Sequence, residues 1–276
     1  MTDRFSEIIT DTTAIIFDGE LVLDERSRYQ HIQVYKHDYY GYILVLDGLY
    51  QMSTTDEYLY SEMMAHIPLC GLAREPRRVL MVGGGDGGTL AQVLRHPSVE
   101  YVKVVELDEA VVNTSKRFFP FAATAFVDKK VSITYMDAAV YMKQPDPPEL
   151  FDAAILDTSD PETPAKVLYT REFYSNVRRF LAPDGILMHQ IGTTEFTPEY
   201  LSGTVDAMSP LFPWVGACLV PMFTYAGAQA FVVASDRDVS KPHREILGKW
   251  YNSEIHAASF ALPTFWRNLV IRPKTG

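Results

Sequence analysis

Two stretches of the chain differ in the spacing of their hydrophobic residues. From residue 13 to about 52, apolar and polar residues alternate, and Gly19, Gly41 and Gly48 interrupt the alternation. This pattern is typical of antiparallel strands joined by tight turns. We therefore predict a small antiparallel β unit near the N-terminus.

After residue 54 the pattern changes to short apolar runs separated by segments with helical spacing. A helix is predicted from Thr55 to near Pro68. Six strands follow between helical segments, at 78–82, 101–105, 131–135, 151–157, 185–191 and 229–234. Strands that alternate with helices form mostly parallel, doubly wound sheets. The sequence therefore predicts an α/β fold with a small N-terminal antiparallel β domain at 1–54 and a larger domain at 55–276.

The segment 79–108 carries the clearest chemical signal. An apolar strand runs into glycines at 83, 84, 85, 87 and 88, a helix follows, and a second strand ends in Glu106. Glycines let a ligand approach the backbone closely, and an acid at the end of the second strand can accept hydrogen bonds from ribose hydroxyls. This βαβ unit predicts a nucleoside site.

Asp86 lies inside this glycine-rich loop and narrows the choice of nucleoside. A site for phosphate uses loop amides and the helix dipole, and a carboxylate there would repel the anion. Asp86 instead suits a cationic group, such as the sulfonium and amino groups of an S-adenosyl compound. The alternative is that Asp86 caps the following helix, a role that is compatible with ligand contact.

Four acids stand at or just beyond the ends of predicted strands: Asp86, Glu106, Asp137 and Asp157. Asp160 follows three residues after the last of them. Ligands of doubly wound sheets bind outside the carboxyl ends of the strands, where these acids would converge. Their mutual repulsion favours a polar or cationic ligand at that edge.

Composition fits an enzyme of ordinary globular type. The 276 residues are 47% hydrophobic and carry a net charge of −10, which argues against a nucleic-acid partner and mildly favours cationic partners. No apolar stretch reaches membrane-spanning length, and residues 1–13 are too acidic for a secretory signal. The cysteines, Cys70 and Cys218, and the seven histidines show no metal-ligand spacing. We expect a cytoplasmic protein with no metal and no membrane contact.

Several motifs together resemble the spermidine synthase family of polyamine aminopropyltransferases. They are YQHIQVY, GYILVLDGLYQMSTTDEYLYSEMMAHIPL, VLMVGGGDGGTLAQVLRHPSV, VVELDEAVV, LDTSDPETPAKVLYTREFY and YNSEIHAASFALPTF, and they span nearly the whole chain. The resemblance implies an N-terminal β domain on a Rossmann-like catalytic domain, and a homodimer or homotetramer. It also implies aminopropyl transfer from decarboxylated S-adenosylmethionine to putrescine. The products would be spermidine and methylthioadenosine, and no metal or prosthetic group would be needed.

The resemblance also implies roles on the cosubstrate side. Asp86 matches the acid that receives the aminopropyl ammonium, Glu106 the ribose acid, and Asp137 the residue at the adenine amino group. Gln30 matches a glutamine that lines the nucleoside site.

On the amine side, Asp157 opens the family's D-x-S-D-P loop and matches the proposed general base. A base is needed because a primary amine, with an intrinsic pKa of about 10.4, is protonated at neutral pH. The resemblance implies further residues that hold the amine: Tyr60, Asp160, Gln51, and either Tyr225 or Phe223.

Departures from the family pattern cluster on the amine side. Ser61 stands where His or Gln is common, Thr163 where Gly is common, and Lys166 where Glu is common. Three alternatives therefore stay open: a different amine acceptor such as spermidine, agmatine or cadaverine, an S-adenosylmethionine-dependent amine N-methyltransferase, and a binding protein without activity. Asp86 argues against methyl transfer, and retention of all five acids argues against loss of activity.

Overall fold

The computed structural model describes residues 3–145, 147, 149–161 and 164–270. The N-terminal part is a five-stranded antiparallel sheet in which each strand pairs with the next one along the chain. Its strands are β1 (Asp3–Thr10), β2 (Thr13–Arg26), β3 (His31–His37), β4 (Gly41–Leu46) and β5 (Leu49–Ser53). The turn residues Gly41 and Gly48 have φ angles of 71° and 79°, which glycine adopts without steric cost. The predicted antiparallel β unit is confirmed.

Strand β1 lies outside the predicted β unit, which began at residue 13. Its polar and charged residues give it little hydrophobic signal, and only Phe5 is fully buried. Phe5 pairs with Phe17 of β2, and their rings stack at a centroid distance of 4.7 Å. The partner strand therefore stabilises a segment whose own sequence predicts no strand.

The second sheet has seven strands in the order β11-β12-β10-β9-β6-β7-β8. Strands β6 to β10 are parallel, and β11 and β12 complete the sheet in antiparallel pairing. The strands are β6 (Arg78–Gly83), β7 (Tyr101–Glu106), β8 (Val131–Tyr135), β9 (Phe151–Asp157), β10 (Leu181–Thr193), β11 (Trp214–Met222) and β12 (Gly227–Ser235). This mixed, mostly parallel sheet with helices confirms the predicted fold class.

Helices cover both faces of the seven-stranded sheet. They are α1 (Glu57–Gly71), α2 (Gly88–Leu94), α3 (Glu109–Phe118), α4 (Pro120–Ala125), α5 (Ala138–Tyr141), α6 (Arg171–Arg179), α7 (Pro198–Met208), α8 (Ser253–Ser259) and α9 (Thr264–Val270), with short 3₁₀ helices at Pro164–Tyr169 and Phe223–Tyr225. Along β6, Met81 packs with α1 to α4, whereas Leu80 and Val82 pack with α5 to α7. Alternate side chains of a central strand thus enter two separate cores.

Helix α1 continues past Pro68 to Gly71, so the predicted end near Pro68 was wrong. A proline inside a helix loses one backbone hydrogen bond. Every residue from Ser61 to Gly71 is buried, and packing against the sheet outweighs this local cost. Strand β10 runs from Leu181 to Thr193 and is therefore longer at both ends than the predicted strand at 185–191.

The direction in which successive strands are added to the sheet reverses between β6 and β9. Strands β7 and β8 extend the sheet on one side of β6, and β9 and β10 extend it on the other. The carboxyl ends of β6 and β9 therefore open into a crevice that no crossover connection covers. The division into domains at 1–54 and 55–276 stays a prediction. Within the described ranges, no helix combines the length and apolarity needed to cross a bilayer.

Candidate active site

A cavity of about 520 Å³ opens at the carboxyl ends of β6, β7 and β9, and its outer wall comes from the five-stranded sheet. This volume suits a substrate-sized ligand. All nine site residues predicted from the sequence line it: Gln30, Gln51, Tyr60, Asp86, Glu106, Asp137, Asp157, Asp160 and Tyr225.

The glycine-rich loop brings β6 against the end of β9. Gly84 N donates a 2.9 Å hydrogen bond to the backbone oxygen of Asp157. A Cβ on Gly83 would collide with that same oxygen, and the φ angle of +74° at Gly83 also requires glycine. The loop therefore fixes Asp157 next to Asp86.

Asp86 points into the cavity at the start of α2. Its Oδ1 accepts a 2.6 Å hydrogen bond from the backbone N of Gly88, the first residue of α2. Asp86 therefore contacts the start of this helix and lines the cavity at the same time. Burial raises the pKa of Asp86 to about 7, and the nearby charge of Asp157 adds to the shift. A bound cation would reverse this shift because it favours the ionised carboxylate.

Glu106 ends β7 and is buried in the wall below the loop. Its Oε1 accepts a 2.9 Å hydrogen bond from Asp108 N, and burial raises its pKa to about 7. A Cβ on Gly85 would lie 3.1 Å from Glu106 Oε2, so glycine permits this approach. The carboxylate of Glu106 therefore lies in the cavity wall directly beside the glycine-rich loop.

Gln30 is held by a residue that the sequence analysis did not select. Asp108 Oδ2 accepts hydrogen bonds from Gln30 Nε2 at 2.9 Å and from Ser27 Oγ at 2.6 Å. Its other oxygen caps α3 by accepting from Ala110 N at 3.0 Å. Asp108 therefore connects the two sheets beside the cavity.

Asp137 follows β8 at the rim of the cavity and is exposed. Its Oδ1 accepts a 2.7 Å hydrogen bond from Ala139 N and so caps α5. The second oxygen is not used by this cap. The four strand-end acids therefore share one cavity, as their positions in the sequence predicted.

Asp157 receives hydrogen bonds on both carboxylate oxygens. Tyr60 Oη donates to Oδ1 at 2.6 Å, and Thr89 Oγ1 donates to Oδ2 at 2.7 Å. Burial raises the pKa of Asp157, and these two hydrogen bonds oppose the rise. Burial and the adjacent Asp157 charge also raise the pKa of Tyr60, which keeps its phenol protonated and able to donate.

Asp160 lies further along the same loop and is exposed. Gln190 Nε2 donates to Asp160 Oδ1 at 3.1 Å, and Gln229 Nε2 donates to Gln190 Oε1 at 2.8 Å. Both glutamines line the cavity, and the sequence analysis selected neither of them. They occur in strands β10 and β12, where hydrophobic pattern alone gave no reason to single them out.

Tyr225 lines the cavity, whereas Phe223 is 71% exposed and does not. The phenol of Tyr225 donates to the backbone oxygen of Gln51, and its ring meets that of Tyr50 edge-on at 5.8 Å. Gln51 Nε2 donates to the backbone oxygen of Leu49 at 3.2 Å. Of the two aromatic candidates, Tyr225 is therefore the one that lines the cavity.

Glu7 of β1 also lines the cavity, and the sequence analysis missed it. Its Oε2 accepts a 2.7 Å hydrogen bond from Tyr50 N. Burial raises the pKa of Glu7, the Tyr50 amide opposes this rise, and the charge of Asp160 contributes further to it. Because β1 itself was not predicted, no signal in the sequence pointed to this acid.

The three departures from the family pattern have different positions. Ser61 is buried, lines the cavity and lies against Gly88. Lys166 is exposed on the 3₁₀ helix and is not part of the lining. Thr163 lies outside the described residues. Across the described part of the chain, no group of three or more His, Cys, Asp or Glu side chains is arranged to hold a metal ion.

Comparison with known families identifies both halves of the chain. Residues 57–242 match the model of the spermine/spermidine synthase domain, and residues 5–54 match the spermidine synthase tetramerisation domain. The second match favours an oligomeric protein.

Curated relatives agree over nearly the full length. A polyamine aminopropyltransferase of Desulforudis audaxviator (strain MP104C) is 36% identical over 268 residues, which are 95% of this chain and 96% of that protein. Spermidine synthase 2 of Hyoscyamus niger is 35% identical over 93% of this chain and 86% of that protein. Spermine synthase of Arabidopsis thaliana is 35% identical over 91% of this chain and 74% of that protein.

Solved structures agree as well. A spermidine synthase in complex with the transition-state analogue AdoDATO has a TM-score of 0.90 and 29% identity, over 97% of this chain and 94% of that one. Spermidine synthase from Thermotoga maritima has a TM-score of 0.88 and 28% identity over the same shares of the two chains. The chain belongs to the spermine/spermidine synthase family, and it is therefore a transferase of the aminopropyltransferase class.

Proposed function

We propose that this enzyme transfers the aminopropyl group of decarboxylated S-adenosylmethionine to putrescine and forms spermidine and methylthioadenosine. The observation that supports this most directly is the placement of Asp86 and the hydrogen-bonded pair Tyr60–Asp157 along one cavity. One acid is suited to a cation on the nucleoside, and the other is suited to accept a proton from an attacking amine.

The nucleoside end of the cavity supports binding of the cosubstrate. In our proposal Glu106 binds the ribose hydroxyls, Asp137 and Gln30 contact the adenosine at the rim, and Asp86 binds the aminopropyl ammonium. The raised pKa values of Asp86 and Glu106, both about 7, agree with a site completed by a cationic ligand. No metal or prosthetic group enters this proposal.

At the other end, Asp157 would act as the general base. The amine nitrogen attacks the methylene group beside the sulfonium, the N–C bond forms as the C–S bond breaks, and the amine proton passes to Asp157. The leaving sulfur becomes a neutral thioether, so its departure needs no acid. Hydrogen bonds from Tyr60 and Thr89 hold the carboxylate in place for this transfer.

The amine itself would be held by the remaining acids and polar groups of the cavity. Asp160, Gln51 and Tyr225 are the residues proposed from the sequence, and Glu7 is the acid added by the structure. A diamine carries two positive charges, so acids at both ends of its binding site compensate them. This pattern supports a diamine or polyamine acceptor.

A second acceptor is supported by the amine-side departures. Ser61 leaves a smaller side chain beside the cavity than the His or Gln of the family pattern. One of the relatives is a spermine synthase. Spermidine, agmatine and cadaverine therefore remain alternative acceptors, whereas Asp86 argues against an N-methyltransferase.

We also propose a homodimer or homotetramer that acts in the cytoplasm. The match of residues 5–54 to a tetramerisation domain supports the assembly. Cys70 and Cys218 are both buried free thiols, which suits a reducing compartment.

The deciding experiment incubates the enzyme with putrescine, cadaverine, agmatine or spermidine, each with decarboxylated or intact S-adenosylmethionine. Mass analysis then measures the product. A gain of one aminopropyl group on putrescine, together with methylthioadenosine, supports the proposal. A gain of one methyl group would assign methyl transfer instead, and faster turnover of another amine would change the acceptor.

A further inference from the structure

An additional acid, Glu57, occupies the corner of the cavity between α1 and the start of α2. It lies in the first turn of α1, three and four residues before Tyr60 and Ser61. That spacing places the three side chains on one face of the helix. Neither the βαβ motif nor the D-x-S-D-P loop contains Glu57, so motif analysis had no reason to select it.

Because Gly88 has no side chain, one oxygen each of Glu57, Ser61 and Asp86 can lie close to its Cα. A Cβ on Gly88 would lie 3.1 Å from Asp86 Oδ1 and 3.2 Å from Glu57 Oε2, and it would collide with Ser61 Oγ. The carboxylates of Glu57 and Asp86 therefore flank the same point at the start of α2. The two carboxylates are also close enough for the charge of Glu57 to act on Asp86.

One carboxylate oxygen of Glu57 lacks the hydrogen bond that a structural carboxylate normally has. Its Oε2 is buried and accepts no hydrogen bond from the described residues. The next acid of the helix, Glu62, instead accepts backbone hydrogen bonds from Lys249, Trp250 and Tyr251 at 2.7 to 2.8 Å. Burying a carboxylate with an unpaired oxygen costs free energy, so structural stability alone does not explain Glu57.

The acids around Glu57 also indicate a site for a cation. Burial raises the pKa of Glu57 to about 7, the Ser61 hydroxyl opposes this rise, and the acids Glu62 and Asp56 add to it. The charge of Glu57 in turn contributes to the raised pKa of Asp86. The charge of Lys249 offsets the rise at Glu57 only in part, so the corner concentrates negative charge that a bound cation would neutralise.

We infer that Glu57 and Asp86 together bind the ammonium end of the aminopropyl chain, and that Glu57 selects a cosubstrate with no carboxylate at that end. This inference rests on the proposed function. Intact S-adenosylmethionine carries a carboxylate beside the same amine, and two acids in the corner repel it. Glu57 is thus a specificity-determining residue.

The test uses the full-length Glu57→Gln protein, which keeps the side-chain volume and removes the charge. Calorimetry measures binding of decarboxylated S-adenosylmethionine and of methylthioadenosine, which lacks the ammonium. We expect binding of the first to weaken at least about tenfold and binding of the second to change less than about twofold. The variant should also discriminate less well between decarboxylated and intact S-adenosylmethionine. Glu172→Gln, an exposed acid in the first turn of α6, is the matched control.

Several outcomes would overturn the inference: unchanged binding of the decarboxylated compound, equal weakening of both ligands, or unchanged discrimination. If Glu57→Gln does not fold, Glu57→Asp keeps the charge but withdraws it from the corner, and the same selective weakening is expected. Wild-type protein separates this inference from the proposed function. If wild type binds the decarboxylated compound but Glu57→Gln binds it equally well, only the inference fails. If wild type does not bind it, the proposed function fails as well.

Discussion

Tyr60 Oη donates a 2.6 Å hydrogen bond to Asp157 Oδ1, although the two residues are 97 positions apart in the chain. Thr89 occupies the other oxygen of the same carboxylate. Helix α1, helix α2 and strand β9 therefore meet at one functional group. The orientation of the proposed base depends on how these three elements pack.

We expect Asp157→Asn to lower kcat by at least about 100-fold, because an amide cannot accept the amine proton. Binding of methylthioadenosine should change less than about twofold. Steady-state kinetics and calorimetry measure the two effects. Asp184→Asn, an exposed acid in β10 with a φ angle of 61° that asparagine tolerates, is the control. Near-normal turnover of Asp157→Asn would remove Asp157 as the base.

We expect Tyr60→Phe to move the acidic limb of the pH profile of kcat/KM to higher pH. The phenol lowers the pKa of Asp157 by donating a hydrogen bond, so its loss raises that pKa. The base is then protonated, and inactive, up to a higher pH. The rate at neutral pH should fall about tenfold, since a hydrogen bond to a charged group is lost. Tyr58→Phe, a neighbour on α1 outside the cavity lining, should leave the profile unchanged.

Sequence analysis predicted the βαβ unit and the strand-end acids because these features are local. Glycines, apolar runs and acids lie within about 30 residues of one another around Asp86 and Glu106. Doubly wound topology then brings the ends of β6, β7, β8 and β9 to one edge by a general rule. The shared cavity of Asp86, Glu106, Asp137 and Asp157 followed from that rule.

Among the residues that could not be found in this way, three have roles that depend on tertiary packing. Glu7 lies in a strand with a weak hydrophobic pattern and reaches the cavity through the pairing of β1 with β2. Glu57 is an ordinary acid in a first helical turn until Gly88 packs against it. Asp108 resembles a simple helix cap, and its hydrogen bond to Gln30 spans 78 residues. Long-range contacts of this kind leave no local pattern.

Affinity for decarboxylated S-adenosylmethionine should rise as pH increases from about 6 to about 8. Asp86 and Glu106 have pKa values of about 7 in the folded protein, so both lose protons over this range. A cationic ligand binds the ionised forms, and its binding therefore releases protons. Glu57 and Asp157 face the same cavity and contribute in the same direction. Calorimetry in two buffers with different ionisation enthalpies measures the released protons.

Asp86→Asn is the variant that tests this pH dependence. This variant should bind decarboxylated S-adenosylmethionine more weakly, and its affinity should depend less on pH than that of wild type. Its affinity for methylthioadenosine should change little. In the ligand-free protein, the folded state holds the Asp86 proton more tightly than the unfolded chain, so this group's contribution to stability is complete below about pH 4 and is lost as pH rises to about 7. An equal slope in wild type and Asp86→Asn would contradict the assignment of the titration to this residue.

Glu7→Gln should raise KM for the amine acceptor by about tenfold and change kcat little. Its carboxylate lines the cavity close enough to Asp160 for the two charges to interact, so it can compensate the far ammonium group of a diamine. Initial rates at varied putrescine concentration measure this effect. Glu20→Gln, an exposed acid on β2, is the control. An unchanged KM would place the far ammonium group elsewhere.

A buried pair of histidines, His66 in α1 and His96 just after α2, should make the protein sensitive to mild acid. His66 Nδ1 and His96 Nε2 share a 3.0 Å hydrogen bond, and both side chains are buried. Burial lowers the pKa of His66 to about 2 and that of His96 to about 4, and the proximity of His96 lowers that of His66 further. Both rings are therefore neutral in the folded protein at neutral pH.

Because these pKa values are lower in the folded than in the unfolded chain, stability is complete above about pH 6.5 and falls as pH decreases below it. Each histidine contributes a slope of up to about 1.4 kcal/mol per pH unit. We expect His66→Gln to be less stable at pH 7 but to show a shallower loss between pH 6.5 and 4.5, measured by urea unfolding. The raised pKa values of Asp86 and Glu106 increase stability as pH falls, which opposes the effect of the histidines. Both acids are present in wild type and in His66→Gln, so their contribution cancels when the two slopes are compared. His243→Gln, an exposed histidine, should keep the wild-type slope, and an equally steep loss in His66→Gln would show that the buried pair does not carry it.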